Sequence, residues 1–403
     1  MTTTQEYDLI IAGGGTVGCL LALSLASSGL KIAMIEARPY AQAAGESLHP
    51  GFDSRSIALS HQSASYLKHL GLQTQLLNNS TPIKQIKVSD QGHAGQCLLD
   101  HRQQGVGALG YVTSQQQLGA MLYEPVKEVQ DIYWYCPDSI AGLHQHQEHI
   151  DLSLTSGVQL SAQLLIVAEG GKSATATMLG FAPQIDDYRQ VAIVANVQTD
   201  QSHAFRAYER FTAQGPLALL PNRDKGFGLV WSIAAERLEQ FEQMTDAAFL
   251  QQLQQAFGYS AGRFCAVGRR DSYPLALVRL DRTITHRAVV IGNAAHTLHP
   301  IAGQGFNLGV RDAECLAQLL LQANRQKADI GGATLLQDYG RQRAQDQQQV
   351  INRTDALVRF FSNSHWPLIS GRNLALVLLE LCPPLRFRLA QSAMGYGGRD
   401  GAD

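Results

Sequence analysis

Leu9-Ile10-Ile11-Ala12-Gly13-Gly14-Gly15-Thr16-Val17-Gly18 is the stretch that decides how this chain is read. Four consecutive apolar residues fit a strand buried on both faces. The glycines behind them fit a turn into a helix. Gly13 permits the tight turn, Gly15 lets the backbone approach a pyrophosphate, and Gly18 lets helix and strand pack closely. The helix start then offers free N–H groups and a positive dipole end to phosphates. Lys31 to Ile35 reads as a second strand, and Glu36 ends it, placed to accept hydrogen bonds from a ribose. Strand, turn, helix and acid together make a dinucleotide site. A glycine-rich turn alone leaves the acid unexplained.

The 403 residues are too many for one simple core and imply two domains. A hydrophobic content of 45% with 16% charged residues describes a globular protein with a sizeable core. The net charge of −2 provides no basic field for nucleic acid. Cys19, Cys97, Cys136, Cys265, Cys315 and Cys382 are scattered, with no zinc spacing. Buried thiols in a reducing compartment and no metal are expected. Leu9 to Leu30 carries no charge and mimics a membrane span, but its three consecutive glycines argue for a buried strand and helix. Glu6 and Asp8 precede it with no Lys or Arg, so it lacks the basic start of a signal peptide. The expected location is the cytoplasm.

Further along, a polar loop over 38–53 leads to Arg55-Ser56-Ile57-Ala58-Leu59 and an amphipathic stretch ending at Leu70. Ile83 to Leu99 alternates as antiparallel strands do, Gln115 to Tyr123 is helical, and Leu164 to Ala168 is another buried strand, closed by Glu169-Gly170-Gly171. From Val191 to Arg270 strand patterns dominate, with one helical interlude near Phe241–Phe257. Ala288 to Gly292 resumes the buried parallel pattern. Helix follows from Phe306 to about Gln322, then two more helical stretches, with a Gln-rich face over 342–349. The fold class is therefore α/β, a Rossmann-like nucleotide-binding domain with an inserted antiparallel β-sheet domain and C-terminal helices. Residues 1–80, 100–182 and 271–365 are assigned to the first domain, 81–99 and 183–270 to the second, and 366–403 to a C-terminal helical segment.

A second motif runs from Val289-Val290-Ile291-Gly292-Asn293-Ala294-Ala295-His296 into Pro300-Ile301-Ala302-Gly303-Gln304-Gly305-Phe306-Asn307. It reads as a strand, a glycine-flexed loop and a helix N-terminus. Gly303 and Gly305 let the backbone come close to a flat ligand, and the helix start faces an anionic centre.

With both motifs in hand, the chain resembles the flavin-dependent aromatic hydroxylases of the p-hydroxybenzoate hydroxylase fold, over nearly its whole length. Gly13–Gly18, Glu169-Gly170 and Gly292-Asn293 match that family's three cofactor motifs. The segments 49–59, 88–95 and 208–218 are similar to its ubiquinone-biosynthesis branch. The resemblance implies FAD as cofactor and NADPH or NADH as electron donor. It implies hydroxylation of a polyprenylated methoxyphenol by O2 through a C4a-hydroperoxyflavin. Glu36 is then expected at the adenosine ribose, Arg55 and Gln115 against FAD, Glu169 and Gly170 at the shared FAD and NAD(P)H site, and Asn293 at the ribityl chain. Pro300, Gly303, Gln304, Gly305, Phe306 and Asn307 are expected along the isoalloxazine. Glu169 and Asn293 stand where the family usually has Asp. Glu169 is one methylene longer, and Asn293 removes a charge while still accepting and donating hydrogen bonds.

His296, His299 and Tyr208 are the candidate acid–base or substrate groups. Period-2 alternation puts Tyr208 and Arg210 on one face of their strand and Glu209 and Phe211 on the other, with the inward face left open. Partners implied are the prenylated phenol, O2 and other ubiquinone-biosynthesis enzymes. The apolar, Arg-flanked stretch Trp366–Leu389 is a candidate for peripheral contact with the inner membrane, against packing on the nucleotide-binding domain. Other readings are a sister hydroxylase of different regiospecificity, a flavin reductase or oxidase such as a prenyl-chain saturase, and a weakly catalytic flavoprotein scaffold.

Overall fold

A computed structural model describes residues 4–40, 55–212, 214–361 and 366–396. The family-like segment 49–54, the loop residues 41–53, Ala213 and the tail 397–403 lie outside the described residues.

The first strand, Gln5–Ala12, lies at the middle of a parallel sheet, between Gln159–Val167 and Ile32–Ile35. Ala288–Val290 extends the sheet beyond Gln159–Val167, and Ile132–Tyr135 extends it beyond Ile32–Ile35. Alternation assigns the two faces. Leu9, Ile11, Met34, Leu164 and Ile166 pack under helices, against Leu20, Leu118, Leu122, Leu316 and Leu320. Ile10, Ala12, Ala33, Ile35, Leu165 and Val167 pack on the opposite face with Ile150, Leu152 and Leu154. Those last residues belong to a meander, Ile140–Gln145, Ile150–Leu154 and Gln159–Val167, whose final strand runs on into the parallel sheet.

A second sheet of nine strands is mainly antiparallel, the exception being Arg206–Thr212, which pairs parallel with Gln85–Asp90. Its long central strand, Pro183–Thr199, lies between Asp271–Leu280 and Phe227–Ala234. Asp271–Leu280 thus belongs to this sheet by hydrogen bonding. A boundary at residue 270 cuts the sheet, because the strand pattern there looks the same whichever sheet it joins. Trp231, Phe241, Phe249 and Phe257 fill the outer face. The expected single helix around Phe241–Phe257 is two, Leu238–Glu242 and Asp246–Phe257. The second starts afresh where Thr245 Oγ1 accepts from the Ala248 N–H at 3.3 Å. A small third sheet joins Ser56–Ser60, Gly110–Ser114 and Thr81–Ile83.

Gln304–Arg325 and Ala333–Phe361 form the helical layer behind the parallel sheet. Among the described residues three helices rather than two follow residue 325, the last two being Trp366–Leu381 and Pro383–Ala393. This pair does not pack mainly on the nucleotide-binding part. Leu376, Ala390 and Met394 close over Cys97, Leu99 and Leu109, beside the edge hairpin of the second sheet. Glu380 accepts from the Leu98 N–H at 3.0 Å, and Asn373 accepts from the Gly95 N–H and donates to Asp90. The pair also reaches the other side, where Gln391 Nε2 meets Gln104 Oε1 at 2.9 Å and Met394 O accepts from the Gln62 N–H.

Candidate active site

The first cradle is shaped by close backbone crossings. A Cβ at Gly18 would fall 1.9 Å from the Gly13 carbonyl oxygen, and one at Gly13 would fall 2.5 Å from that of Ala168. Gly13 also has φ +111°, which side chains resist. Glu36 is buried, and its carboxylate accepts from the Gly14 N–H at 2.7 Å and the Arg38 N–H at 2.9 Å. Burial pushes the Cys19 thiol up to about 12, so it stays protonated and donates to Gly14 O at 3.1 Å. Tyr40 OH donates to the same carbonyl at 2.5 Å. The Gly14–Gly15 peptide is thus fixed from both sides. Thr16–Ser24 then starts at Gly15 with no side-chain cap, and no protein atom lies within 4 Å of a Cβ placed there.

The second cradle repeats the design. Gly303, at φ +61°, begins Gln304–Arg325, again with no side-chain cap, and the space a Cβ would take at Gly305 is open. Asn307 is buried and holds the loop. Its Nδ2 donates to Gly303 O and Ala58 O at 2.7 and 2.9 Å, and its Oδ1 accepts from the Ser60 N–H at 2.8 Å. Its amide therefore binds backbone on three sides. Asn293 is exposed, Pro300 accepts from the Gly303 N–H, and Gln304, Gly305 and Phe306 are half-buried.

Val17 joins the cradles. Its methyls would lie 3.2 Å from a Cβ at Gly292 and 3.0 Å from one at Gly309. Beneath them sits Asp312, fully buried. It accepts from the Gly292 N–H at 3.1 Å, His296 Nε2 at 2.6 Å, Arg343 Nε at 2.8 Å and Gln347 Nε2 at 2.9 Å. Burial alone would raise this carboxyl. The charges of His296 and Arg343, with hydrogen bonds from His296 and Gln347, outweigh that and hold it well below the usual carboxylate range. Arg343 also meets Asp346, which binds Arg311. Sequence reasoning missed Asp312, Arg343, Gln347 and Gly309. The one available signal was an acid on the apolar face between Val310, Ala313 and Leu316.

The acid–base candidates separate. His299 Nδ1 accepts from the Ile301 N–H at 3.2 Å, and Nε2 lies 3.3 Å from Gln190 Oε1. Burial lowers the imidazole to about 4, so it is neutral at physiological pH and bridges the loop to the second sheet. His296 is bound to Asp312 through Nε2, while its Nδ1 is buried without a partner. Tyr208 is not brought to the site. It packs on Phe227 and Phe257 and donates to Ser260 O at 2.9 Å, on the face of the sheet that carries Asp246–Phe257. Arg210 shares that face, donating to Ala256 O, while Phe211 turns the other way to Ile301.

Arg55 stacks on Tyr273 at 4.7 Å, and its carbonyl accepts from the Gln115 N–H, tying the strand to the start of Gln115–Lys127. Glu169 is exposed and caps the short helix Ala174–Met178, accepting from Ser173 Oγ at 2.6 Å and Thr175 Oγ1 at 2.7 Å. Two uncapped helix starts with open glycine positions, fixed by Val17 and Asp312, fit one elongated ligand carrying a pyrophosphate and a flat ring. FAD has that shape and charge.

Comparison with known proteins agrees. A family described as FAD binding domain matches residues 6–354. Ubiquinone hydroxylase UbiL of Rhodospirillum rubrum is 32% identical over 96% of this chain and 89% of its own length. The 3-demethoxyubiquinol 3-hydroxylase of Escherichia coli is 29% identical over 98% of this chain and 100% of its own. In fold, the crystal structure of p-nitrophenol 4-monooxygenase PnpA from Pseudomonas putida superposes with a TM-score of 0.80 at 16% identity, covering 99% of this chain and 100% of that one.

Two measurements test this geometry. Gly18→Ala must push helix from strand, so it is expected to cost about 3 kcal/mol in urea unfolding; a loss below 1 kcal/mol in order of magnitude contradicts the packing. His299 gives an acid-side signature. Between about 6.5 and about 4 the unfolded chain binds a proton that the folded chain refuses, so stability falls as pH drops through that window. His299→Gln should remove up to about 1.4 kcal/mol per pH unit of this slope; equal slopes in both proteins contradict the assignment.

Proposed function

The chain belongs to the FAD binding domain family, and we propose on that footing that it is an FAD-dependent monooxygenase hydroxylating the ring of a ubiquinone precursor. The observation that carries this is a pair of uncapped helix starts with open glycine positions, at Gly15 and at Gly303 and Gly305, joined through the packing of Val17 on Gly292 and Gly309. When bound, FAD supplies the electron storage and oxygen activation that place one oxygen atom on a phenol ring. NADPH or NADH is the proposed donor and O2 the co-substrate.

We propose these roles for the chain's own groups. Gly13, Gly15 and Gly18 admit the ADP portion, with Glu36 at its ribose. Arg55 and Gln115, already tied to each other, flank the middle of the cofactor. Asn293 is exposed for the ribityl hydroxyls. Pro300, Gly303, Gln304, Gly305 and Phe306 line the ring, with the positive end of Gln304–Arg325 favouring negative charge there. Asn307 shapes this loop through backbone contacts. Glu169 and Gly170 form the outer rim, where Glu169 acts by capping its helix. His296 and His299 position the loop, one through Asp312 and the other as a neutral bridge to Gln190.

We propose a polyprenylated methoxyphenol as substrate, the reaction of a 2-octaprenyl-6-methoxyphenol hydroxylase. The full-length similarity to 3-demethoxyubiquinol 3-hydroxylase favours a second reading, attack at a different carbon of the same ring. Incubation of the FAD-loaded protein with NADPH, ¹⁸O2 and each prenylated phenol tests both. One labelled oxygen in the product, with its ring position fixed by NMR, is expected. NADPH oxidation that yields only peroxide, or flavin that NAD(P)H never reduces, overturns the proposal.

A long isoprenoid tail also needs an apolar route. Leu374, Val377, Leu378 and Leu381 recur at helical spacing and are exposed, as are Leu385 and Phe387 in the next helix, which Pro383-Pro384 begins, with Arg388 beside them. No helix among the described residues is long and apolar enough to cross a membrane. We propose that this stripe rests on the membrane surface where the substrate resides. Flotation with anionic liposomes is expected to carry wild type, and Leu378→Ser/Leu381→Ser several-fold less. Equal flotation of the two removes the docking surface.

A further inference from the structure

The meander that backs the parallel sheet carries a feature with no part in flavin chemistry. Around its first turn runs His144-Gln145-His146-Gln147-Glu148-His149-Ile150-Asp151. The register sets His144 opposite Asp151, and the His146 N–H donates to His149 O at 2.8 Å. Alternation therefore stands His144, His146, His149 and Asp151 on one face, while Ile150 between them is fully buried.

The side chains converge. His146 Nε2 lies 3.0 Å from Asp151 Oδ2, and His149 Nε2 lies 3.6 Å from Asp151 Oδ1. The two imidazoles stack at 4.3 Å with 18° between planes. One ligand atom from each of His146, His149 and Asp151 lies within 4.8 Å of the others, and among the described residues no other such trio forms. Metal–ligand bonds of about 2.0–2.2 Å in a tetrahedron separate ligand atoms by about 3.3 Å. The two measured distances fall on either side of that value. The turn is also anchored. His286 Nε2 is 2.8 Å from His146 O, and Arg287 Nε donates to Gln147 O at 3.0 Å while its other nitrogens bind Asp329 at 2.7 and 2.8 Å.

We propose that this hairpin face binds one divalent transition-metal ion of the zinc class. His146 and His149 supply imidazole nitrogens, Asp151 a carboxylate oxygen, and water the remaining position. Two imidazoles with one carboxylate favour Zn2+ over Mg2+ or Ca2+, which prefer all-oxygen sites. His144, whose ring is 4.5 Å from that of His146, stands beside the ligands rather than among them. The expectation of no metal came from cysteine spacing, which cannot see ligands paired across a turn. The site is independent of the flavin reading, and the ion acts as a clip across two strands.

Zinc titration of metal-stripped, FAD-loaded protein by calorimetry tests it. One Zn2+ per chain is expected, with no comparable heat from Mg2+. His146→Asn/His149→Asn should weaken binding at least about tenfold, as should Asp151→Asn, while the flavin spectrum stays unchanged. Unchanged uptake in the double variant, or no saturable uptake by wild type, overturns the site. Cu2+ loaded into the wild type provides a readout without substitutions. Its electron paramagnetic resonance should show nitrogen coupling from two imidazoles, and coupling to none overturns the assignment.

Discussion

A buried carboxylate must be surrounded by donors or it does not stay charged, and Asp312 meets that demand with four. One is the Gly292 N–H, from the loop that follows the parallel sheet. One is His296, at the point where the chain enters the second sheet. The other two, Arg343 and Gln347, come from the long helix behind. No partner can move far without leaving charge uncompensated in a dry interior. The loop between Gly292 and Pro300 therefore has little choice of path.

The same economy of space operates where Val17 meets Gly292 and Gly309. One branched side chain, with glycine on either side, sets how near the two helix starts stand. The second sheet is held to this frame by several contacts. Gly228 has room for nothing more because Ser56 abuts it, Phe211 packs on Ile301, and His299 reaches Gln190. The second sheet is thus pinned to the nucleotide-binding part at separate points.

Much of this was legible in the chain because the constraints are local. Gly13, Gly15 and Gly18 occur at a fixed spacing dictated by one turn, so their reading survives any tertiary context. Alternation over Ile83 to Leu99 announced the strands Gln85–Asp90 and Gln96–Asp100, and strand-like segments at Ala207–Phe211, Leu217–Leu220 and Gly228–Ile233 announced those of the second sheet. Alternation names two faces without saying which is inward, and Tyr208 shows the consequence: the face it shares with Arg210 went to the outer core. Asp271–Leu280 was assigned to the wrong side of a boundary because sheet membership is a matter of pairing, not pattern. Asn307 looked like a ligand contact, yet its bonds run to Ala58 and Ser60, about 250 positions earlier. Asp312 escaped notice for the same reason, since its meaning lies in partners spread over three segments.

The C-terminal helices have a consequence beyond their own packing. Gln96–Asp100 is the last strand of the nine-stranded sheet, and such a rim ordinarily offers a row of unused amide and carbonyl groups to any passing chain. Here Glu380 and Asn373 lie along it, engaging Leu98 and Gly95, and Leu376 covers the flank. Growth of the sheet by annealing to a neighbour is closed off at that border. Molecules crowded together are then kept from fusing rim to rim by the polypeptide's own final turns.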